Sequence, residues 1–199
     1  MNKIRSMKNL LMTLVLVLST MRLVAQTADN QHLMFKGVPI DGTLSEYVEK
    51  MKLNGFTLLG SENNVAMFNG EFANYQNCKI GVGTSNKKDL VSTVFVMFPE
   101  REEWNDLYGD YNRLKQMLSE KYGLPNESKE KWENGYEPPL ALKMLNVQSG
   151  ECNFTTTFVT PNGKIQLRIE HEDQTCFVFL GYFDKINGEI MKAKAIDDL

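Results

Sequence analysis

The chain has 199 residues, with 22 Lys and Arg against 25 Asp and Glu and a formal charge of −3. That length suits one domain of ordinary size or two small similar halves. An acidic balance without a basic stripe repels phosphate backbones, so nucleic acid is not expected as a partner.

Residues 1–25 read as an export signal. Lys3, Arg5 and Lys8 form a positive start, and Leu10 to Leu18 is apolar except for Thr13. Leu23-Val24-Ala25 then offers a small residue at the cut, which makes Gln26 the new N-terminus. The run is shorter than the roughly 20 apolar residues that span a bilayer, so an uncleaved anchor is the weaker reading. No cysteine follows it, which argues against a lipid-modified terminus, and no later stretch is apolar enough for a membrane helix. The first 25 residues hold four basic residues (Arg22 is the fourth) and no acid, so cleavage takes the formal charge from −3 to −7. The expected location is the periplasm or beyond, with no transmembrane anchor left after cleavage.

Residues 26–31 are polar and expected to be loose. In "GTLSEYVEKMKLNGF", Thr43 and Glu46 have capping-box spacing. Leu44, Tyr47, Val48 and Met51 fall on one helical face, and Asn54-Gly55 supplies a stop. Strands are expected over 56–59, 65–72 and 76–83, separated by turns at 60–64 and near Ala73-Asn74. Leu90–Phe98 is the strongest strand of the set, rich in β-branched and aromatic residues, and Pro99 ends it.

A second helix follows, in which Trp104, Leu107, Tyr108, Tyr111, Leu114, Leu118 and Tyr122 recur at three and four residues. Glu100, Glu102 and Glu103 suit its positive end and Lys121 its negative end. Gly123 closes it and Pro125 prevents it from resuming. The residues through Trp132 then turn back as a strand or edge segment. Pro138-Pro139 opens a helix over 140–147, favoured over the strand that the same alternation would allow. Strands are expected over 153–160, 164–172 and 175–183, with turns at Pro161-Asn162-Gly163 and Asp173-Gln174. Asp184 then caps a short final helix carrying Ile186 and Ile190, and Asp197-Asp198 frays.

The fold class is α+β: antiparallel sheet with two main helices packed on it. After the signal, residues 26–199 form a single α+β domain. The order helix, four strands, helix, four strands suggests a tandem pseudo-repeat with halves 32–98 and 99–184. Leu44, Tyr47 and Met51 would then superpose on Tyr111, Leu114 and Leu118.

Three stretches carry a resemblance: "FKGVPIDGTLSEYVEKMKLNGF" near the mature start, "KYGLP" at the end of the long helix, and "YFDKINGE" after the last strand. Together they resemble small exported proteins of Bacteroides-type bacteria, a group to which no activity is attached. More distantly, the helix-then-sheet order and the helix-ending Tyr-Gly-x-Pro are similar to beta-lactamase-inhibitor-like proteins and to small lipoproteins of outer-membrane assembly. The chain lacks the lipid-bearing cysteine of those lipoproteins. The resemblance implies an envelope protein and supplies no catalytic residue.

No catalytic constellation, metal site or cofactor is expected. "GVGTSNKK" at 81–88 lacks the spacing of a phosphate loop and reads as a strand end with a lysine-bearing turn. His171 and Cys176 would lie opposite each other if Asp173-Gln174 is a tight turn, and a thiolate beside an imidazole is nucleophilic. Yet Cys176 opens the apolar run "CFVFLGYF", where a buried thiol is expected. Cys78, Cys152 and Cys176 admit two readings: three buried free thiols, or one bridge and one free thiol. With only His32 and His171 and no close cysteine pair, zinc spacing is absent.

Trp132 and Tyr136 stand apart from the other aromatics, in the polar stretch "KEKWENGYEPP". They are the candidate binding residues, as contact points for a protein or sugar; the alternative is a plug that pins the loop to the sheet. The leading function is a non-enzymatic binding module that meets another envelope protein through a concave sheet face or the 126–140 loop. The alternatives are a small-ligand carrier with a pocket between helices and sheet, and a hydrolase with unrecognised carboxylates.

Overall fold

Alternation of apolar and polar residues resolves into eight strands of one antiparallel sheet, on which helical stripes with a three-to-four spacing are laid. The computed structural model describes residues 31–85, 88–133 and 135–197. The signal segment at 1–25, the loose stretch 26–30, residues 86–87 of "GVGTSNKK" and the terminal Asp198 lie outside the described residues.

The elements in chain order are β1 (Met34–Phe35), β2 (Val38–Pro39), α1 (Leu44–Leu53), β3 (Thr57–Glu62), β4 (Val65–Phe72), β5 (Tyr75–Ser85) and β6 (Lys88–Met97). Then follow α2 (Trp104–Tyr122), β7 (Glu127–Trp132), α3 (Leu140–Gln148), β8 (Cys152–Thr160), β9 (Gly163–Glu172), β10 (Thr175–Asp184) and α4 (Lys185–Asp197). The main sheet has the order β3-β4-β5-β6-β10-β9-β8-β7. Its two meanders thus run inward from opposite edges, and their last strands meet at the centre, with Val96 opposite Leu180 and Val94 opposite Tyr182. Each meander is preceded by its own helix, α1 or α2. The fold is α+β, and the tandem helix-then-four-strand order takes the form of two inward-running meanders of one sheet.

Local chemistry explains most of the boundaries. The Thr43 capping box is formed: the Glu46 N–H donates to Thr43 Oγ1, and the Thr43 N–H donates to Glu46 Oε2 at 3.0 Å. Two-residue turns at Asn63-Asn64 and Ala73-Asn74 have both residues at positive φ, the geometry that matches the twist of a hairpin. Asn tolerates that region; Ala73, at φ 52°, is held there by the strands on either side. Gly123 ends α2 at φ 86°, its N–H donating to Ser119 O at 2.9 Å. Asp184 caps α4, accepting from the Asn187 N–H at 2.9 Å. That helix is longer than expected, and Ile190 is 37% exposed. The strand pair β1–β2 has no counterpart in the sequence reading, because two-residue strands leave no periodicity to detect.

Both helices lie on one face of the sheet. Tyr47 and Met51 of α1, and Leu107, Tyr111, Leu114 and Leu118 of α2, are buried against Phe68, Ile80, Val96, Leu180, Leu167 and Phe158. Each such side chain contributes about 1.5–3 kcal/mol by leaving water. The other face carries a layer of rings: Phe95 stacks on Phe179 with centroids 5.5 Å apart, and Arg168 lies over Phe179 at 4.7 Å. Phe95 rests across Gly81 on the neighbouring strand, where a Cβ would fall 2.0 Å from the ring.

The start and end of the described fold are tied together by a buried polar cluster. Asp184 accepts from the Leu33 N–H at 2.6 Å and from His32 Nδ1 at 3.0 Å. Asn187 Nδ2 lies 2.8 Å from Val91 O and 3.1 Å from Ile40 O. These bonds hold the β1–β2 hairpin beneath α4, and Phe35 then packs edge-on against Tyr182 with centroids 5.3 Å apart.

Candidate functional site

Trp132 ends the edge strand β7, opposite Cys152 on β8. The other residues of β7 are exposed along the strand, and its charges discourage further pairing at this sheet edge. Trp132 itself is only 8% exposed. It packs against Trp104 at the first turn of α2, with centroids 5.1 Å apart, and edge-on to Phe154 of β8 at 5.5 Å. Tyr108, one turn along α2, stacks on Trp104 at 5.2 Å and 10°. The chain's two tryptophans therefore share one cluster.

A cavity of about 390 Å³ opens on this cluster, walled by Trp104, Tyr108, Trp132 and Phe154. Glu130, Lys131, Glu137 and Lys143 supply charge at its lining, and Lys131 lies 4.0 Å from Glu133. The Lys143 ammonium, carried by α3, sits 5.3 Å from the centroid of Trp104 and is paired with Glu137. Glu130 is paired with Lys115 of α2, whose ammonium also donates to Ser128 Oγ at 3.1 Å. Ser128 in turn is 3.1 Å from Thr156 Oγ1, which lies 2.6 Å from the Tyr111 hydroxyl.

Tyr136 is placed differently from Trp132. It is 69% exposed and lies between Gly135 and Glu137, both of which line the cavity. Helix α3 beside it buries Val147 fully but leaves Leu140, Leu142 and Leu145 largely in solvent. The two candidate residues thus belong to one locality, Trp132 as a wall and Tyr136 next to the lining. Trp104, Phe154 and Lys143 were not singled out as site residues from sequence. Trp104 reads as core by helical spacing, and nothing local reveals that Lys143 reaches it.

The remaining constellations are occupied by structural bonds. Register sets Cys176 opposite His171, as a tight Asp173-Gln174 turn implies. Cys176 is fully buried, however, and burial pushes its thiol up, away from the thiolate form. No hydrogen bond joins the two among the described residues. Burial likewise pushes Cys78 up to about 11 and Cys152 up to about 12. All three cysteines are free. Among the described residues two carboxylates are buried, and each has dedicated partners. Asp110 accepts from Arg101 Nε at 2.7 Å and from the Tyr75 hydroxyl at 2.9 Å, while Asp184 holds the cluster described above. Among the described residues no three or more His, Cys, Asp or Glu side chains converge as a metal site. No helix among them is long and apolar enough to cross a membrane.

Comparison with protein-family models, curated proteins and solved structures finds no match.

Proposed function

We propose that this chain is an exported binding module of the cell envelope, acting without catalysis, whose ligand enters the Trp104–Trp132 cavity. The observation that carries this reading is that cavity. Its volume of about 390 Å³ falls within the size range of ligand pockets, and its walls are aromatic with a few charged groups at the lining. Tyr136 and the outward leucines of α3 lie alongside it, which suits a partner that covers the opening. The export expectation rests on the positive start and apolar run of residues 3–18. A small-ligand carrier is the second reading, favoured by a cavity whose walls come from both helix (Trp104, Tyr108) and sheet (Trp132, Phe154).

Because both tryptophans line the cavity, intrinsic fluorescence reports on it directly. The protein purified from the periplasm is titrated with an alkylammonium salt, a chitin oligosaccharide and a leucine-containing peptide. A saturable change with any of them, whose midpoint moves to higher concentration in Tyr136→Ala, supports the reading. A flat response to all three overturns it.

A further inference from the structure

The cavity already holds a cation. Lys143 reaches from α3 to set its ammonium 5.3 Å from the Trp104 centroid, and only 14% of its side chain is exposed. A lysine on a solvated helix ordinarily extends into water, because a compact ammonium is strongly hydrated. Here it is turned inward onto a ring face and paired with the largely exposed Glu137 carboxylate. An aromatic wall with a carboxylate at the lining is the arrangement by which proteins recognise ammonium groups.

We propose that the cavity is a cage for a primary alkylammonium group, and that Lys143 is its built-in occupant, displaced when the external ligand arrives. This rests on the binding reading above and names its ligand class. The charge balance favours exchange of one cation for another. Glu130 keeps Lys115 as its partner, so expelling Lys143 leaves Glu137 as the unpaired carboxylate, and an incoming ammonium restores the pair. A neutral ligand would leave Glu137, whose side chain is 68% exposed, paired with water alone. A stacked sugar fits less well. It needs an open ring face, whereas Trp104 is 5% exposed, stacked on Tyr108 and covered by the lysine. The Lys143 stem defines the shape that fits, a straight chain ending in an ammonium.

The test follows tryptophan fluorescence of the full chain with n-pentylammonium, its neutral analogue 1-pentanol, and acetyl-lysine amide. Lys143→Ala vacates the cage and removes the internal competitor, so pentylammonium should bind roughly five- to thirtyfold tighter than to the unaltered protein. Lys143→Met discharges the residue but keeps the space filled, and should show no such gain. In the Lys143→Ala background, Glu137→Gln should weaken pentylammonium several-fold while leaving pentanol unchanged. Tighter binding of acetyl-lysine amide than of the free amine identifies a protein side chain as the ligand; the reverse identifies a free amine.

Equal affinity for pentanol and pentylammonium would overturn the cage, as would a gain in Lys143→Met. The binding reading would survive either result. A response to the oligosaccharide alone would also reject the cage and keep the module, whereas no response to any probe rejects both. If Lys143→Ala does not fold, pentylammonium against pentanol on the unaltered protein decides, and equal affinities reject the proposal.

Discussion

Asp184→Ala tests the cluster that ties the two ends of the described fold together. The carboxylate is fully buried and accepts from the backbone N–H groups of Leu33 and Asn187 and from His32 Nδ1. Alanine removes all three acceptances. A buried donor left without a partner costs about 1–3 kcal/mol. Loss of a helix N-cap costs about 1 kcal/mol, but this overlaps with the orphaned Asn187 N–H and is not counted twice. The expected total is therefore about 3–5 kcal/mol, a large share of the roughly 5–15 kcal/mol that holds a domain together. With a urea dependence of about 2 kcal/mol per molar, the unfolding midpoint should fall by roughly 2 M. Asp184→Asn retains one carbonyl acceptor and should lose about half as much. His32→Ala breaks one bond of a partly exposed ring and should cost about 1 kcal/mol. Urea unfolding followed by circular dichroism measures all three. A loss below about 1 kcal/mol for Asp184→Ala would show that water enters readily and that the cluster does not bind the termini.

Three further outcomes are expected. Burial and the Asp110 carboxylate push Tyr75 up to about 12, and burial raises Tyr47, Tyr111 and Tyr182 further. The unfolded chain ionises its tyrosines near pH 10, so the stability these groups contribute is complete below about pH 10 and is lost as pH rises toward 12. Phenolate absorbance of the native protein should therefore fall short of seven tyrosines at about pH 11, and seven ionised phenols in a folded chain would contradict the packing. Iodoacetamide should modify the native thiols slowly near neutral pH and all three after unfolding; rapid native labelling of Cys176 would revive a nucleophilic role beside His171. Gly163→Ala would bring a Cβ to 2.2 Å from the Phe183 carbonyl oxygen, a backbone atom that cannot step aside, and should cost about 2–3 kcal/mol in the same urea assay. A neutral result there would mean that the β9–β10 pair opens freely at this end.

Much of this fold is legible residue by residue. The Thr43–Glu46 box, the Gly123 stop, the Asp184 cap and the alternation of β4 to β6 and β8 to β10 all act within a few positions of chain. Where the reading fell short, local signal was weak: β1 and β2 are too short to show a period. The helix expected over 140–147 does form, from its Pro138-Pro139 start, although its leucines carry no amphipathic logic of their own. The candidate site was half legible. Trp132 and Tyr136 stand out because aromatics are unexpected in a polar stretch, but Trp132 proves to be a wall, and the wall it completes is built from Trp104 and Phe154.

Sequence alone thus determined which stretches become helix or strand and which side of each turns from water, because backbone sterics, caps and periodicity operate over a turn or two. Only tertiary structure decided the neighbours. An alternating strand pairs equally well with any other, so the inward-running order that joins β6 to β10 follows from how two helix-covered meanders bury their last strands together. The same assembly brings α2, β7, β8 and α3 to one place and turns Lys143 onto Trp104, a contact between residues far apart in the chain that no local rule encodes.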